Sequence, residues 1–241
     1  MPTDHFGEEV AARYDGDGGM FDAAVVDPTV DVLAELAGGG AALELGIGTG
    51  RIALPLAARG VPVQGIDLSE AMVARLRAKP GGAEIPVAIG DFATTRVEGS
   101  FALVYLVFNT IMNLTTQDEQ VACFENAARH LQPGGVFVVE VEVPPLRRLP
   151  PGETYVAFEV TPVRLGFDEL DPATQRQVSH HYVVEDGELS VNAVPFRYVW
   201  PAELDLMARI AGLRLRERWD SWSREPFTAK SCSHVSVWAN S

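Results

Sequence analysis

The stretch Ala42-Leu43-Glu44-Leu45-Gly46-Ile47-Gly48-Thr49-Gly50-Arg51 constrains this chain more than any other. An apolar run enters three glycines at alternate positions and then a helical pattern, which reads as a strand turning sharply into a helix. Glycine tolerates left-handed backbone and lets main-chain N–H groups approach a ligand closely, so the segment predicts a nucleotide-type site. A phosphate loop would place Gly-Lys-Ser or Gly-Lys-Thr after its second glycine, whereas the lysines of this chain are Lys79 and Lys230. A dinucleotide fingerprint would need Gly or Ala at position 51, where Arg51 stands. What remains is Gly-x-Gly-x-Gly with an acid, Glu44, two residues before its first glycine.

The surroundings fit such a loop. Up to about residue 145, short apolar strands alternate with amphipathic helical runs, the pattern of βαβ units on a parallel sheet. Strands are expected over Ala41 to Leu45, Val61 to Ile66, Ile85 to Ile89, Phe101 to Asn109 and Val136 to Val143. Helices are expected over Arg51 to Ala58, Glu70 to Ala78 and Gln117 to Leu131. Ser69 is placed to cap the second helix, and Pro133-Gly134-Gly135 to end the third. The prolines of Pro144 to Pro151 lack donors, so this segment reads as a boundary. Beyond it strand follows strand: Thr154 to Pro162, Gln177 to Glu185, an Asp186-Gly187 turn, and Leu189 to Trp200. A helix from Pro201 to about Ala211 and strands Leu213 to Trp219 and His234 to Ala239 close the chain.

Glu44-Leu45-Gly46-Ile47-Gly48-Thr49-Gly50 resembles the first motif of the class I S-adenosylmethionine-dependent methyltransferases, E/D-x-G-x-G-x-G, at every fixed position. A second acid, Asp67, ends the strand Val63-Gln64-Gly65-Ile66 and lies 23 positions after Glu44, near the ~20-residue spacing at which a carboxylate reaches a ribose. Asp67-Leu68-Ser69-x-x-Met72 is similar to the family's second motif. Val87-Ala88-Ile89-Gly90-Asp91-Phe92 matches a third. The resemblance implies that Asp67 binds the ribose hydroxyls of S-adenosyl-L-methionine, that Asp91 accepts from the adenine amine and that Phe92 flanks the ring. It implies cofactor contacts from Glu44, Gly46, Gly48, Gly50, Leu68, Met72, Phe108 and Asn109, and a lid helix ending at Tyr14-Asp15, whose Tyr14 covers the methionyl end and polarises the methyl group. It covers residues 41 to 143 well, and Val10 to Asp15 with the final helix and strands more loosely.

The fold expected from this is a doubly wound, Rossmann-like α/β sheet, mostly parallel with an antiparallel last strand, carrying a small antiparallel β insertion. Four parts are expected: a lid segment (1–28), a cofactor-binding core (29–144), an insertion that covers the substrate or pairs two subunits of a homodimer (145–200), and a C-terminal part completing the sheet (201–241). His180 and His181 are adjacent in a strand, so they face opposite ways and cannot share one metal; no metal is expected. His181 is the preferred candidate base and Glu142, near the C-terminal end of its strand, the second.

Acidic residues outnumber basic ones 33 to 19, a formal charge of −14, which disfavours partners bound through clustered Lys and Arg: nucleic acid and anionic membrane surfaces. The two isolated cysteines, the absence of a basic and apolar leader and the strand-sized apolar runs suggest a cytoplasmic protein. The function expected is methyl transfer to O or N of a small molecule. An NAD-dependent oxidoreductase and a non-catalytic cofactor-binding or interaction protein are the alternatives.

Overall fold

The computed structural model describes residues 4–16, 19–185 and 187–240. Its elements in chain order are α1 (Glu8–Tyr14), α2 (Ala23–Ala37), β1 (Ala42–Leu45), α3 (Ala53–Ala58), β2 (Val63–Asp67), α4 (Glu70–Arg77), β3 (Val87–Ile89), β4 (Phe101–Leu106), α5 (Gln117–His130), β5 (Leu131–Glu142), β6 (Tyr155–Val160), β7 (Arg164–Asp171), β8 (Arg176–Glu185), β9 (Glu188–Arg197), α6 (Pro201–Ile210), β10 (Leu213–Trp219) and β11 (Ser233–Asn240).

Seven strands form the main sheet in the order β10-β11-β5-β4-β1-β2-β3. β1 pairs in parallel with β2 and β4, β4 with β5, and β2 with β3, while β11 runs antiparallel to β5. The strand order reverses direction between β1 and β4, and ligands in open α/β sheets bind at such a reversal, outside the carboxyl ends of the strands. β1 and β4 are buried along their whole length, as central parallel strands covered on both faces must be. Two apolar clusters fill the two faces: one around Phe124, Phe137 and Trp238, the other around Leu33, Ile52 and Leu56.

Helix α2 runs through residue 28, where the lid was expected to give way to the core. Pro28 removes one hydrogen-bond donor from that helix, but Val26, Val30, Leu33 and Ala37 bury one continuous face, which outweighs the lost bond. The strand expected to reach Asn109 ends at Leu106, because Phe108 and Asn109 take left-handed backbone at φ 57° and 61° and leave the pleat. Within the proline-rich boundary, Pro145–Arg148 form a single 3-10 turn, with proline at a position whose N–H would have no partner anyway.

The insertion is a four-stranded antiparallel sheet, β6-β7-β8-β9. Its second strand, β7, is absent from the sequence-based expectation, since Gly166 and the acids at 168, 169 and 171 blur its alternation. Asp186 of the expected hairpin turn lies outside the described residues, while Glu185 and Glu188 pair across it. One face of this sheet is buried: Leu170 opposes Gln177, and Asp168 opposes Ser179. Arg197 anchors β9. Its guanidinium donates to Gln120 of α5 at 2.5 Å and to Glu203 of α6 at 2.7 Å, while the Gln120 amide donates to the carbonyls of Ile111, Leu114 and Arg197. One buried network therefore fixes insertion, helices and the turn after β4 to each other.

Candidate active site

A cavity partly open to solvent lies over the C-terminal ends of β1, β2, β3 and β4. Its walls include Gly46 and Gly48 from the loop after β1, Asp67 and Leu68 from the end of β2, and Asp91 and Phe92 from the end of β3.

The glycines have separate jobs. Gly46 and Gly48 have φ of 74° and 55°, left-handed values costly for other residues. A Cβ on Gly46 would lie 2.7 Å from Thr110 Cγ2, closing the floor where Phe92 and Thr110 meet. Gly50 does not line the cavity: a Cβ there would strike Leu76 Cδ1 of α4 at 2.3 Å, so this glycine serves packing. Asp67 organises the loop. Its Oδ2 accepts from Gly48 N at 2.6 Å and its Oδ1 from Ser69 N at 2.8 Å, and burial, only partly offset by these bonds, raises its carboxyl above the usual range. Asp91 Oδ1 accepts from Ala93 N, which turns the chain so that the Phe92 ring lies against the loop.

Glu44, 4% exposed, sits beneath the loop rather than in the cavity wall. Its Oε2 accepts from the Tyr105 hydroxyl at 2.9 Å, and the Ala53 backbone lies close to it. Burial pushes its carboxyl up to about 8, against the pull of Tyr105 and the Arg51 charge. Phe108 and Asn109 also turn away from the cavity. The Phe108 ring, 44% exposed, lies under the Arg51 guanidinium at 4.2 Å, and its N–H donates to Glu140 Oε2. Asn109 Oδ1 accepts from Glu142 N at 2.7 Å, tying the turn to the end of β5. The next residues, Thr110, Asn113 and Leu114, are the ones that line the cavity.

Tyr14 and Met72 line the cavity as expected, joined by Asp4, His5, Phe6 and Ser69. The Tyr14 ring meets Phe6 and Phe21 edge-on, and burial raises its hydroxyl pKa. Ser69 Oγ donates to Phe6 O at 2.7 Å, holding the N-terminal segment on the α4 cap. A latch closes the other end of α1: Asp15 accepts from Thr49 Oγ1 at 2.6 Å and pairs with Lys79 Nζ at 2.7 Å, and Lys79 also donates to Thr49 O. Sequence reasoning missed Asp4 to Phe6 because the contact depends on a chain end folding back across sixty residues.

His181 does not line the cavity; it stands on β8 with its ring 5.3 Å from that of Phe158. His180 stacks on Phe167 on the opposite face and approaches Glu169. Among the described residues no group of three His, Cys, Asp or Glu side chains could hold a metal, and no helix is long and apolar enough to cross a membrane.

The residues present suit S-adenosylmethionine. Gly46 leaves a cradle that a Cβ would fill, and the polar wall is rich in acceptors, Asp67 and Asp91, as a ligand with an amine, ribose hydroxyls and an ammonium requires. Leu68, Met72, Phe92 and Leu114 supply apolar surface for a flat ring.

A family model described as methyltransferase domain matches residues 42–135. The cypemycin N-terminal methyltransferase of a Streptomyces species is 32% identical over 197 residues, 78% of each chain. The structure of the CcbJ methyltransferase from Streptomyces caelestis superposes with a TM-score of 0.86 at 36% identity, over 98% of both chains. S-adenosylmethionine-bound CalS10 from Micromonospora echinaspora, an amino pentose methyltransferase, shares the fold with a TM-score of 0.70 at 23% identity, covering 97% of this chain and 96% of its own. The chain belongs to the class I S-adenosylmethionine-dependent methyltransferases. It is an enzyme of that class, and S-adenosylmethionine is its cofactor.

Proposed function

We propose that the enzyme transfers a methyl group to a nitrogen or oxygen nucleophile of a small molecule. One observation carries this reading: the ends of β1, β2 and β3 bring Gly46, Gly48, Asp67, Asp91 and Phe92 around one cavity, with Thr110, Asn113 and Leu114 in its wall. Asp67 and Asp91 take the ribose and the adenine amine, Phe92, Leu68 and Met72 the ring, and Tyr14 covers the methionyl end. Glu44 and Gly50 act by supporting the loop.

S-adenosylmethionine, when bound, supplies a methyl group already activated by its sulfonium. The protein's part is then largely to hold donor and acceptor in line and keep water out. The N-terminal lid, latched through Asp15 and Lys79, suits the second task. The cypemycin relative is by name an N-terminal methyltransferase, which favours nitrogen over oxygen.

The net charge of −14 favours a small acceptor over nucleic acid or an anionic membrane. The two free cysteines suit the cytoplasm. The outer face of the insertion exposes Leu165, Val184, Leu189 and Val191, a surface suited to a second copy in a homodimer, which sedimentation velocity tests.

Calorimetric titration with S-adenosylhomocysteine and with NAD tests the cofactor assignment. Saturable binding of the first and none of the second is expected; the reverse would overturn it. Transfer of labelled methyl to a panel of small amines and alcohols tests the reaction.

A further inference from the structure

Where the insertion packs on the end of β5, several polar side chains are brought together whose oxygens outnumber the donors they face. Glu142 is the last residue of β5, Gln177 lies on β8 and Asp168 on β7. Gln177 is 4% exposed and Asp168 9%. The Gln177 side chain faces the Glu142 carboxylate, and Ser179 Oγ donates to Asp168 Oδ1. Glu142 Oε1 and Gln177 Oε1 are both buried and have no hydrogen-bond partner among the described residues. A buried acceptor without a donor is destabilising, and two of them close to a second carboxylate call for a ligand that brings donors and positive charge.

The cluster is tied to the turn that borders the cavity. Glu142 N is held by Asn109 Oδ1, and the residue after Asn109 is Thr110, in the cavity wall. Glu142 thus stands at the carboxyl end of the strand next to β4, on the side of the turn covered by the insertion.

We propose that Glu142, Gln177 and Asp168 form the subsite for the cationic nitrogen of an amine acceptor, with Glu142 taking its proton. This rests on the methyltransferase reading and narrows it to a substrate class. A hydroxyl brings one donor and no charge and leaves one of the two orphaned oxygens unpaired. A protonated primary amine brings three N–H donors and a positive charge that both carboxylates attract.

The proton step balances simply. One N–H bond of the ammonium breaks, its electron pair stays on nitrogen, and the proton goes to Glu142 Oε1. The freed pair forms the new N–C bond to the methyl group as the C–S pair stays on the departing sulfur, and Glu142 later returns its proton to solvent. Burial, together with the charge of Asp168, pushes the Glu142 carboxyl up to about 7, against the pull of the Gln177 amide and the Arg148 charge, which suits a group that must both accept and release a proton near neutrality.

The test uses the full chain saturated with S-adenosylhomocysteine, labelled with carbon-13 at the glutamate carboxyls, with the Glu142 signal assigned by its loss in Glu142→Gln. The probe is methylammonium chloride, with sodium chloride and methanol as controls. A saturable shift of the Glu142 signal with methylammonium alone is expected, together with a titration midpoint lowered by about one unit and an apparent affinity about tenfold weaker in Asp168→Asn. No saturable response, or an equal response to sodium chloride, overturns the ammonium subsite while the methyltransferase reading stands. If S-adenosylhomocysteine itself fails to bind in calorimetry, that reading falls and takes the subsite with it.

Discussion

Asp67 holds the glycine loop from the neighbouring strand: its Oδ2 accepts from Gly48 N at 2.6 Å while Oδ1 accepts from Ser69 N at 2.8 Å. The same carboxylate lines the cavity, so loop shape and ligand contact depend on one group. Asp67→Asn puts an N–H₂ group against one of two backbone donors. It should weaken S-adenosylhomocysteine binding by about 10- to 100-fold, corresponding to one or two charge-assisted bonds, as read by calorimetry. An unchanged Kd would show that the loop keeps its shape without Asp67 and that the ribose contact lies elsewhere.

Glu44 gives the free enzyme a pH signature. Its folded pKa is about 8 against a reference of 4.5, so the folded state binds the proton more tightly than the unfolded state. Stability therefore falls as pH rises from about 5 to about 8, on the order of 2–4 kcal/mol in total. Glu142, raised to about 7, adds to the same slope over the lower part of that range. Thermal melts across this range should show Tm falling with pH in the parent protein and a shallower fall in Glu44→Gln.

Arg197 is the buried cation joining insertion and core, with Gln120, Gln175 and Glu203 as acceptors. Its removal leaves the Glu203 carboxylate, itself held below the usual range by its partners despite burial, without a counter-charge. Arg197→Ala should cost about 3–5 kcal/mol in urea unfolding. Hydrogen exchange should rise most in β9 and in residues 110–114, which share the network.

The latch of Asp15 with Lys79 and Thr49 is half exposed to solvent and correspondingly weak. Burial opposes the charge of Asp15, but the bonds from Lys79 and Thr49 outweigh it and lower its pKa. The latch is therefore complete above the ordinary carboxylate range and is lost as pH falls through the lowered value. At neutral pH, Asp15→Asn should raise the Kd for S-adenosylhomocysteine about two- to fivefold, chiefly through faster dissociation in stopped flow.

The sequence alone was enough to establish the parallel core, because that depends on local rules, and its motifs carried the resemblance that implied the ligand. Alternate glycines followed by Arg51 exclude two other loops by spacing, and an acid at a strand's end reaches the same edge whatever the rest of the fold does. Gly46, Gly48, Asp67, Leu68, Met72, Asp91 and Phe92 all line the cavity for that reason. Other assignments depended on which way a side chain turns once its neighbours arrive. Tertiary packing buried Glu44 against Tyr105, gave Gly50 to Leu76, and turned Asn109 toward β5. It also brought Glu142 to Gln177 and Asp168, across some thirty residues of chain and between two sheets. No periodicity records such a meeting, since a pattern reports the face a residue occupies and not what another element places opposite it.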